Sequence, residues 1–291
     1  MADLAKHLLC AVKGAGSMAA EVDPESVTLS PSLKQEIMAA GSIYPQIAIN
    51  VTAEPVVEFT TSDIKMVSTL TALSVVSPLV LYFRALSDTF GYGTGYISMT
   101  MSYGMIEPVS ITARRGQRSQ LRVRVHLTSS DGDVSPVIVG TSSDTFVAPT
   151  DFYCGGVLTL GTAIAGLTDA GFEFGFRVSK NAGENGLPYP TLVWCDQPQA
   201  ASLSASSEAL AYSTQARMMQ ATNETTVSLT FRKLNTAGIP TNSGGYSITA
   251  SKVNVTVRQV KGGRPASIDL AAACVATDFA GTNFLQFANV A

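Results

Sequence analysis

Charge is the scarcest property of this sequence, since only 14% of its 291 residues are Asp, Glu, Lys or Arg, and globular proteins carry about a quarter. The net charge is −3, so long-range attraction to nucleic acid or to an anionic membrane is not indicated. With 46% hydrophobic residues, the chain can bury a core in each of two domains. A weakly charged surface favours a protein covered by neighbouring subunits, and a neutral secreted β-protein is the alternative.

Groups that perform metal or nucleophilic chemistry are also scarce. None of the four cysteines forms a Cys-x-x-Cys pair, so we predict free thiols rather than a zinc site or a redox motif: Cys10, Cys154, Cys195 and Cys274. The two histidines are His7 and His126, and His126 is expected to be a solvated or interface residue on the polar face of a strand. Nucleophile-elbow, Walker and dinucleotide motifs are missing. We therefore predict no enzyme activity, no metal and no cofactor.

Long apolar runs are missing as well. Residues 66–83 come nearest to a membrane span, but six Ser, Thr and Pro residues interrupt them. The early Asp3, and Lys13 after the apolar residues 8–12, argue against an export signal. We predict no membrane association.

Alternation with a period of two residues is the dominant pattern and predicts β-strands. It is clearest over residues 121–127, 172–177 and 253–258, and over 47–59 with a break near Pro55. Three short helices are predicted as accessories, over residues 31–41, 63–73 and 208–220. The fold class is therefore all-β, with β-sandwich or β-barrel modules.

An internal repeat divides the chain into two halves. Tyr44-Pro45 recurs as Tyr189-Pro190, and residues 81–86 recur as 229–234 at an offset of 148. Gly95-Tyr96 is matched with Gly245-Tyr246, and Gly116 with Gly263. We interpret the chain as a tandem duplication, with a first module in residues 1–145 that carries an N-terminal helical arm and a second module in residues 146–291. The repeated cores are placed at 43–131 and 188–278, with arms and long loops between them.

A cluster of basic residues is the strongest candidate site. Five arginines lie at a turn and along one strand face, and a thinner group recurs in the second half: Arg114, Arg115, Arg118, Arg122, Arg124, Lys261 and Arg264. These side chains could pair with carboxylates of an adjoining subunit or neutralise DNA phosphates without reading sequence. A solvated strand face is the third interpretation. The sequence leaves the three open.

Short motifs in both halves resemble virion structural proteins of tailed bacteriophages, in particular tail tube proteins. The resembling segments are residues 59–64 (Phe-Thr-Thr-Ser-Asp-Ile), 81–84 (Leu-Tyr-Phe-Arg), 104–111 (Gly-Met-Ile-Glu-Pro-Val-Ser-Ile), 130–133 (Ser-Asp-Gly-Asp), 174–176 (Phe-Gly-Phe) and 185–191 (Asn-Gly-Leu-Pro-Tyr-Pro-Thr). The chain differs from an ordinary single-module tube protein in its length and its N-terminal segment. A tail hub or other tail-axis component therefore remains an alternative.

The resemblance implies a homo-oligomer that self-assembles into rings, which stack into a conduit for DNA. Two modules per chain would let a trimer close a pseudo-sixfold ring, and a hexamer is the other stoichiometry. The implied partners are further copies of the chain, other virion proteins, and DNA passing non-specifically. The implied location is the phage tail, after assembly in the host cytoplasm. The alternatives are a capsid decoration or minor capsid protein and, in another class, a carbohydrate-binding or adhesin-like module.

Overall fold

The computed structural model describes most of the chain in fourteen segments, namely residues 7–13, 19–20, 22–38, 47–67, 79–86, 92–142, 151–160, 162–164, 166–181, 186–196, 201–208, 222–224, 226–275 and 285–290. These residues are almost entirely in antiparallel β-strands, which confirms the predicted all-β class. Within them, no helix is both long enough and apolar enough to cross a membrane.

The first half of the chain contributes eleven of the described strands. They are β1 (His7–Lys13), β2 (Ala19–Ala20), β3 (Thr28–Ser30), β4 (Leu33–Met38), β5 (Ile47–Ala53), β6 (Val56–Thr61), β7 (Leu79–Leu86), β8 (Tyr92–Met101), β9 (Gly104–Arg114), β10 (Gln120–Leu127) and β11 (Val137–Ser142).

The second half contributes twelve. They are β12 (Tyr153–Leu160), β13 (Thr162–Ile164), β14 (Leu167–Glu173), β15 (Val178–Lys180), β16 (Val193–Cys195), β17 (Ser202–Ser207), β18 (Thr222–Glu224), β19 (Val227–Leu234), β20 (Pro240–Ala250), β21 (Val253–Lys261), β22 (Ser267–Cys274) and β23 (Leu285–Val290).

The two halves build the same sheets in the same strand order. One five-stranded sheet has the order β11-β8-β7-β1-β2, and the other has the matching order β23-β20-β19-β12-β13. Each half also has a two-stranded sheet, β4–β5 and β15–β16. The remaining strands form one nine-stranded sheet, in the order β18-β21-β22-β17-β14-β9-β10-β6-β3, in which β9 and β14 join the halves.

Irregularities of pairing also recur between the halves. A register shift between Leu9 and Ala11 of β1 has its counterpart between Gly155 and Val157 of β12. The shifts in β7–β8 and β9–β10 recur in the same way in β19–β20 and β21–β22. Because a bulge is a specific local feature rather than a general property of sheets, its recurrence supports the interpretation that the halves are copies of one module.

The pairing corrects one match made from the sequence. Tyr96 lies opposite Arg84, whereas Gly245 lies opposite Arg232. The two strands therefore correspond at an offset of 149, one residue less than the match of Gly95-Tyr96 with Gly245-Tyr246 requires.

Buried side chains of the nine-stranded sheet and of both five-stranded sheets share one hydrophobic cluster, which includes Phe59, Leu81, Phe172 and Leu229. The alternation of apolar and polar residues that predicts the strands also separates the buried face of each strand from its outer face. In β10, Leu121, Val123 and Val125 are fully buried, while the arginines between them face outward. The cluster spans both halves of the chain.

Two predictions about the segments outside the repeated cores are wrong. Residues 33–38, predicted as part of a helix, form β4, and the first described residues of the predicted helical arm, His7–Lys13, form strand β1. The predicted arms and loops contribute β1–β4, β11 and β12–β15 to the sheets. Of the other two predicted helices, a helical turn is described at Met66 and Val67, while residues 63–65 and Glu208 are described as turn or irregular backbone. Residues 68–73 and 209–220 lie outside the described residues.

Candidate subunit interface

The junction between the modules is a short antiparallel pairing of β9 with β14. Ile111 lies opposite Phe172, with Ser110 opposite Glu173 and Arg114 opposite Asp169. Ile111 and Phe172 are buried with exposures of 0% and 1%. Apolar side chains opposite one another on the buried face of a sheet stabilise its pairing, so this pair anchors the edge-to-edge contact.

Strand β12 of the second half crosses the inner side of the junction. A Cβ atom added at Gly155 would lie 3.3 Å from the carbonyl carbon of Ala113, so only a small residue lets β12 approach β9 this closely. Ser119 of the first half donates its backbone N–H to the carbonyl of Tyr153 at 2.7 Å. Backbone contacts therefore reinforce the junction beyond the strand pairing itself.

Three of the predicted arginines cross the junction. Arg114 pairs with Asp169 at 3.0 Å, and Arg115 pairs with Glu208 at 3.4 Å. The Arg118 guanidinium lies over the ring of Phe152, 4.3 Å from its centroid, which is a cation–π arrangement. Carboxylates of an adjoining subunit are one of the three interpretations that the sequence leaves open, and the structure places the carboxylate partners of Arg114 and Arg115 in the second half of the same chain.

The other two arginines of the cluster share a carboxylate within the first module. Arg122 and Arg124 each donate to Glu58 at 2.5 Å, from β10 to the neighbouring strand β6. Burial raises the pKa of Glu58, but the hydrogen bonds and positive charge of the two guanidinium groups outweigh that effect and hold the pKa below its usual range. Glu58 therefore neutralises much of the charge on this strand face.

His126, predicted as a solvated or interface residue, follows them on β10 and is not solvated. It is 8% exposed, and its Nε2 lies 2.6 Å from Oε2 of Glu107, which is 4% exposed. Arg124 approaches the same carboxylate at 3.6 Å. His126 thus belongs to a buried polar network that fixes β9 against β10.

The basic residues of the second half lie at the end of β21. Lys261 pairs with Asp269 of β22 at 2.7 Å, and this hydrogen bond is the main cause of the lowered pKa of Asp269. Arg264 follows in the turn and is exposed. Of the seven predicted site residues, Arg114, Arg115 and Arg118 thus meet at the module junction, whereas Lys261 and Arg264 occupy the matching position in the other module.

A second contact between the halves involves the repeated Tyr-Pro motif. Tyr189 donates its N–H to the carbonyl of Gly132 at 3.0 Å, and Ser129 donates to the carbonyl of Pro190 at 2.8 Å. Lys180 donates to the carbonyl of Pro55 at 3.0 Å, and burial lowers the pKa of Lys180 to about 8. The matching Tyr44-Pro45 lies outside the described residues. In the second half, the motif serves a contact between modules.

A cleft of about 370 Å³ lies beside the junction, lined by Arg115, Gly155, Gly156 and Arg232 among others. Cys154 also lines this cleft, but burial raises its thiol pKa, so the thiol is not activated as a nucleophile. Across the described residues, no three His, Cys, Asp or Glu side chains are grouped so that they could hold a metal ion.

Two strand edges of the nine-stranded sheet were not recognised from the sequence. β3 pairs with β6 on one side, and within the described chain nothing pairs with its other edge. The described residues of β18 pair with Val253–Val255 of β21, and no described strand pairs with the same edge at Gln259–Lys261. Leu29 of β3 and Val260 of β21 are 44% and 39% exposed. Strand β3 has three residues, which are too few to show an alternating pattern. Only an alignment of the two repeats could have predicted it from the sequence.

No protein-family model matches the chain, and no curated protein matches it.

Proposed function

We propose that this chain is a structural protein of a tailed-bacteriophage virion, a tail tube subunit that self-assembles into rings stacked as a DNA conduit. One observation carries the proposal: two modules with the same strand order are joined edge to edge in one continuous sheet. Such a head-to-tail contact can repeat around an axis, and repetition closes a ring when the rotation fits. Three chains would supply six modules.

The charge arrangement supports the same role. Five of the seven predicted basic residues have carboxylate partners within the chain, namely Arg114, Arg115, Arg122, Arg124 and Lys261. Paired charges attract DNA weakly, and a conduit must let DNA pass without retaining it. This proposal places the protein in the phage tail, needs no cofactor and gives it no catalytic role.

The carbohydrate-binding alternative calls for aromatic side chains grouped on one surface. Tyr96 makes an edge-to-face contact with Tyr82 in a five-stranded sheet, at 6.0 Å between centroids. Trp194 lies on the separate β15–β16 hairpin, and its indole N–H donates to Asp196 at 2.9 Å. These two aromatic sites belong to different sheets, which favours the structural role.

Negative-stain electron microscopy of the purified protein, together with sedimentation velocity over a wide concentration range, tests the proposal. We expect hollow tubes of stacked rings with sixfold symmetry at low resolution. A protein that stays monomeric at high concentration would contradict it. Binding to preformed capsids without tube formation would instead identify a decoration protein, and a single ring at the tail tip would identify a hub component.

A further inference from the structure

The intramolecular junction defines a second junction that one chain cannot complete alone. β3 corresponds to β14, because Leu29 lies opposite Val57 of β6 just as Phe172 lies opposite Leu203 of β17. β21 corresponds to β9, because both pair with the equivalent strands β22 and β10 through the same register shift. Each chain therefore has one complete β9–β14 pairing and the two separate halves of another.

We propose that β3 of one chain pairs antiparallel with β21 of a second copy, with Leu29 opposite Val260. Transferring the β9–β14 register places Thr28 opposite Lys261 and Ser30 opposite Gln259. The inference deepens the proposed function and rests on it for the ring that these contacts close. The occupant of the edge is a second copy of this chain, because its own repeat supplies the complementary strand.

The exposure of the two anchor residues agrees with this pairing. Ile111 and Phe172 are buried at 0% and 1%, while their counterparts Val260 and Leu29 are 39% and 44% exposed. Apolar side chains on unpaired strand edges promote association between chains. Pairing in trans would cover both residues as the internal junction covers Ile111 and Phe172.

The surroundings of the edges are also complementary. Among the described residues, β18 begins at Thr222, opposite Val255, and none of them pairs with this edge of β21 at Gln259–Lys261. Glu25 precedes β3, Arg264 follows β21, and both are exposed. In the antiparallel register these opposite charges come to the same end of the contact, which favours the correct orientation. The proposed pairing therefore places Arg264, a predicted interface residue, next to Glu25 of the other copy.

Disulfide trapping tests the register directly. The variant Ser30→Cys/Gln259→Cys is prepared with Cys10 and Cys195 replaced by serine, since Cys154 and Cys274 are buried. Directly opposed residues of antiparallel strands have Cα atoms about 4.5–5.5 Å apart, within disulfide range. Ser110→Cys/Glu173→Cys is the matched control, because it tests the same pair of positions within the chain.

We expect oxidised Ser30→Cys/Gln259→Cys to give covalent oligomers on non-reducing gels, ending at the closed ring, and the control to give a cross-linked monomer. The variant Ser30→Cys/Lys261→Cys, shifted by two residues on the same face, should cross-link at least about 10-fold less, because diagonal neighbours lie about 7–8 Å apart. Equal cross-linking by the shifted pair would overturn the register.

A charge at the edge provides an independent test. Val260→Lys should weaken self-association at least about 10-fold by sedimentation, because an edge lysine opposes strand addition, and leave the monomer's melting temperature unchanged. Val139→Lys, at a 64% exposed position on edge strand β11, is the matched control. Rings that persist in Val260→Lys, with no trans cross-link, would sink this inference and leave the proposed function standing. Absence of any assembly in the parent protein would contradict both.

Discussion

Glu58 is the residue on which the charge balance of the first module depends, because Arg122 and Arg124 both donate to it. Its counterpart in the second module is Ser204, since Glu58 lies opposite Arg124 and Ser204 opposite Ala271. The counterparts of Arg122 and Arg124 are Asp269 and Ala271, so this ion-pair group is not repeated on the equivalent strand face. The modules share a fold while their outer faces carry different chemistry.

Replacing Glu58 by glutamine should lower the free energy of unfolding by about 1 kcal/mol at pH 7, since the partner arginines are partly exposed and the ion pairs are screened. A carboxylate with a lowered folded-state pKa stabilises the protein above its unfolded-state pKa. That contribution is lost as the pH falls through the lowered value. Urea titrations from pH 7 to pH 3 should therefore show the stability difference between the variant and the parent shrink as the pH falls.

Glu173→Gln is the control for this measurement, since Glu173 is an exposed strand carboxylate on the same sheet. Its unfolding free energy should differ little from that of the parent at every pH. A Glu58→Gln difference that did not shrink between pH 7 and pH 3 would show that packing, rather than charge, is the cause.

Gly104 combines two constraints at the start of β9. Its φ is +140°, and an added Cβ would lie 2.1 Å from the carbonyl oxygen of His126. Gly116, in the β9–β10 turn, has a φ of +73° with nothing within 4 Å of such a Cβ. Gly116→Ala should cost about 1 kcal/mol from strain alone, and Gly104→Ala at least about 3 kcal/mol from strain and overpacking. Denaturant midpoints at constant slope measure both, and equal losses would refute the steric contribution.

At the scale of elements, equivalent strands have unequal burial because of their positions in the nine-stranded sheet. β14 is an interior strand between β9 and β17, whereas β3 is at the end of the sheet. The same local pairing therefore gives a buried Phe172 and an exposed Leu29.

Matched alanine substitutions should separate folding from assembly. Phe172→Ala should cost about 3–5 kcal/mol, as expected for a buried aromatic side chain, and lower the stability of the monomer. Leu29→Ala should change monomer stability by less than about 0.5 kcal/mol but weaken self-association. Chemical denaturation at low protein concentration and sedimentation at high concentration measure the two effects. A large loss of monomer stability in Leu29→Ala would mean that β3 is already covered within the chain.

At the scale of the whole molecule, the net charge of −3 and the internal pairing of the arginines oppose DNA retention. We expect a dissociation constant for duplex DNA weaker than about 100 µM at 0.15 M salt, at or beyond the weak end of non-specific binding. Fluorescence anisotropy with labelled duplex measures it.

The triple variant Glu58→Gln/Asp169→Asn/Glu208→Gln removes the partners of the arginines and should bind DNA more tightly, with a steeper salt dependence. Tight binding by the parent protein would contradict the interpretation that these arginines serve structure. It would revive direct contact of Arg114–Arg124 with DNA.

Local patterns predicted much of the secondary structure. The alternation over residues 121–127 corresponds to β10, and Pro55 does separate β5 from β6. Residues 33–38 fold as a strand despite helix-start signals at 30–31, because pairing with β5 overrides local preference. The alternation over residues 172–177 predicted a strand, but β14 ends at Glu173, so Phe174 and Phe176 lie beyond its end.

The sequence by itself determined the all-β class and the repeat, because a period of two residues and a recurring order of motifs are written along the chain. Only the tertiary structure decided which edges are paired, that carboxylates of the same chain neutralise Arg114 and Arg115, and that Leu29 and Val260 are left exposed. The physical reason is that strand pairing joins residues far apart in the chain, and its partners depend on the assembled sheet rather than on neighbouring residues.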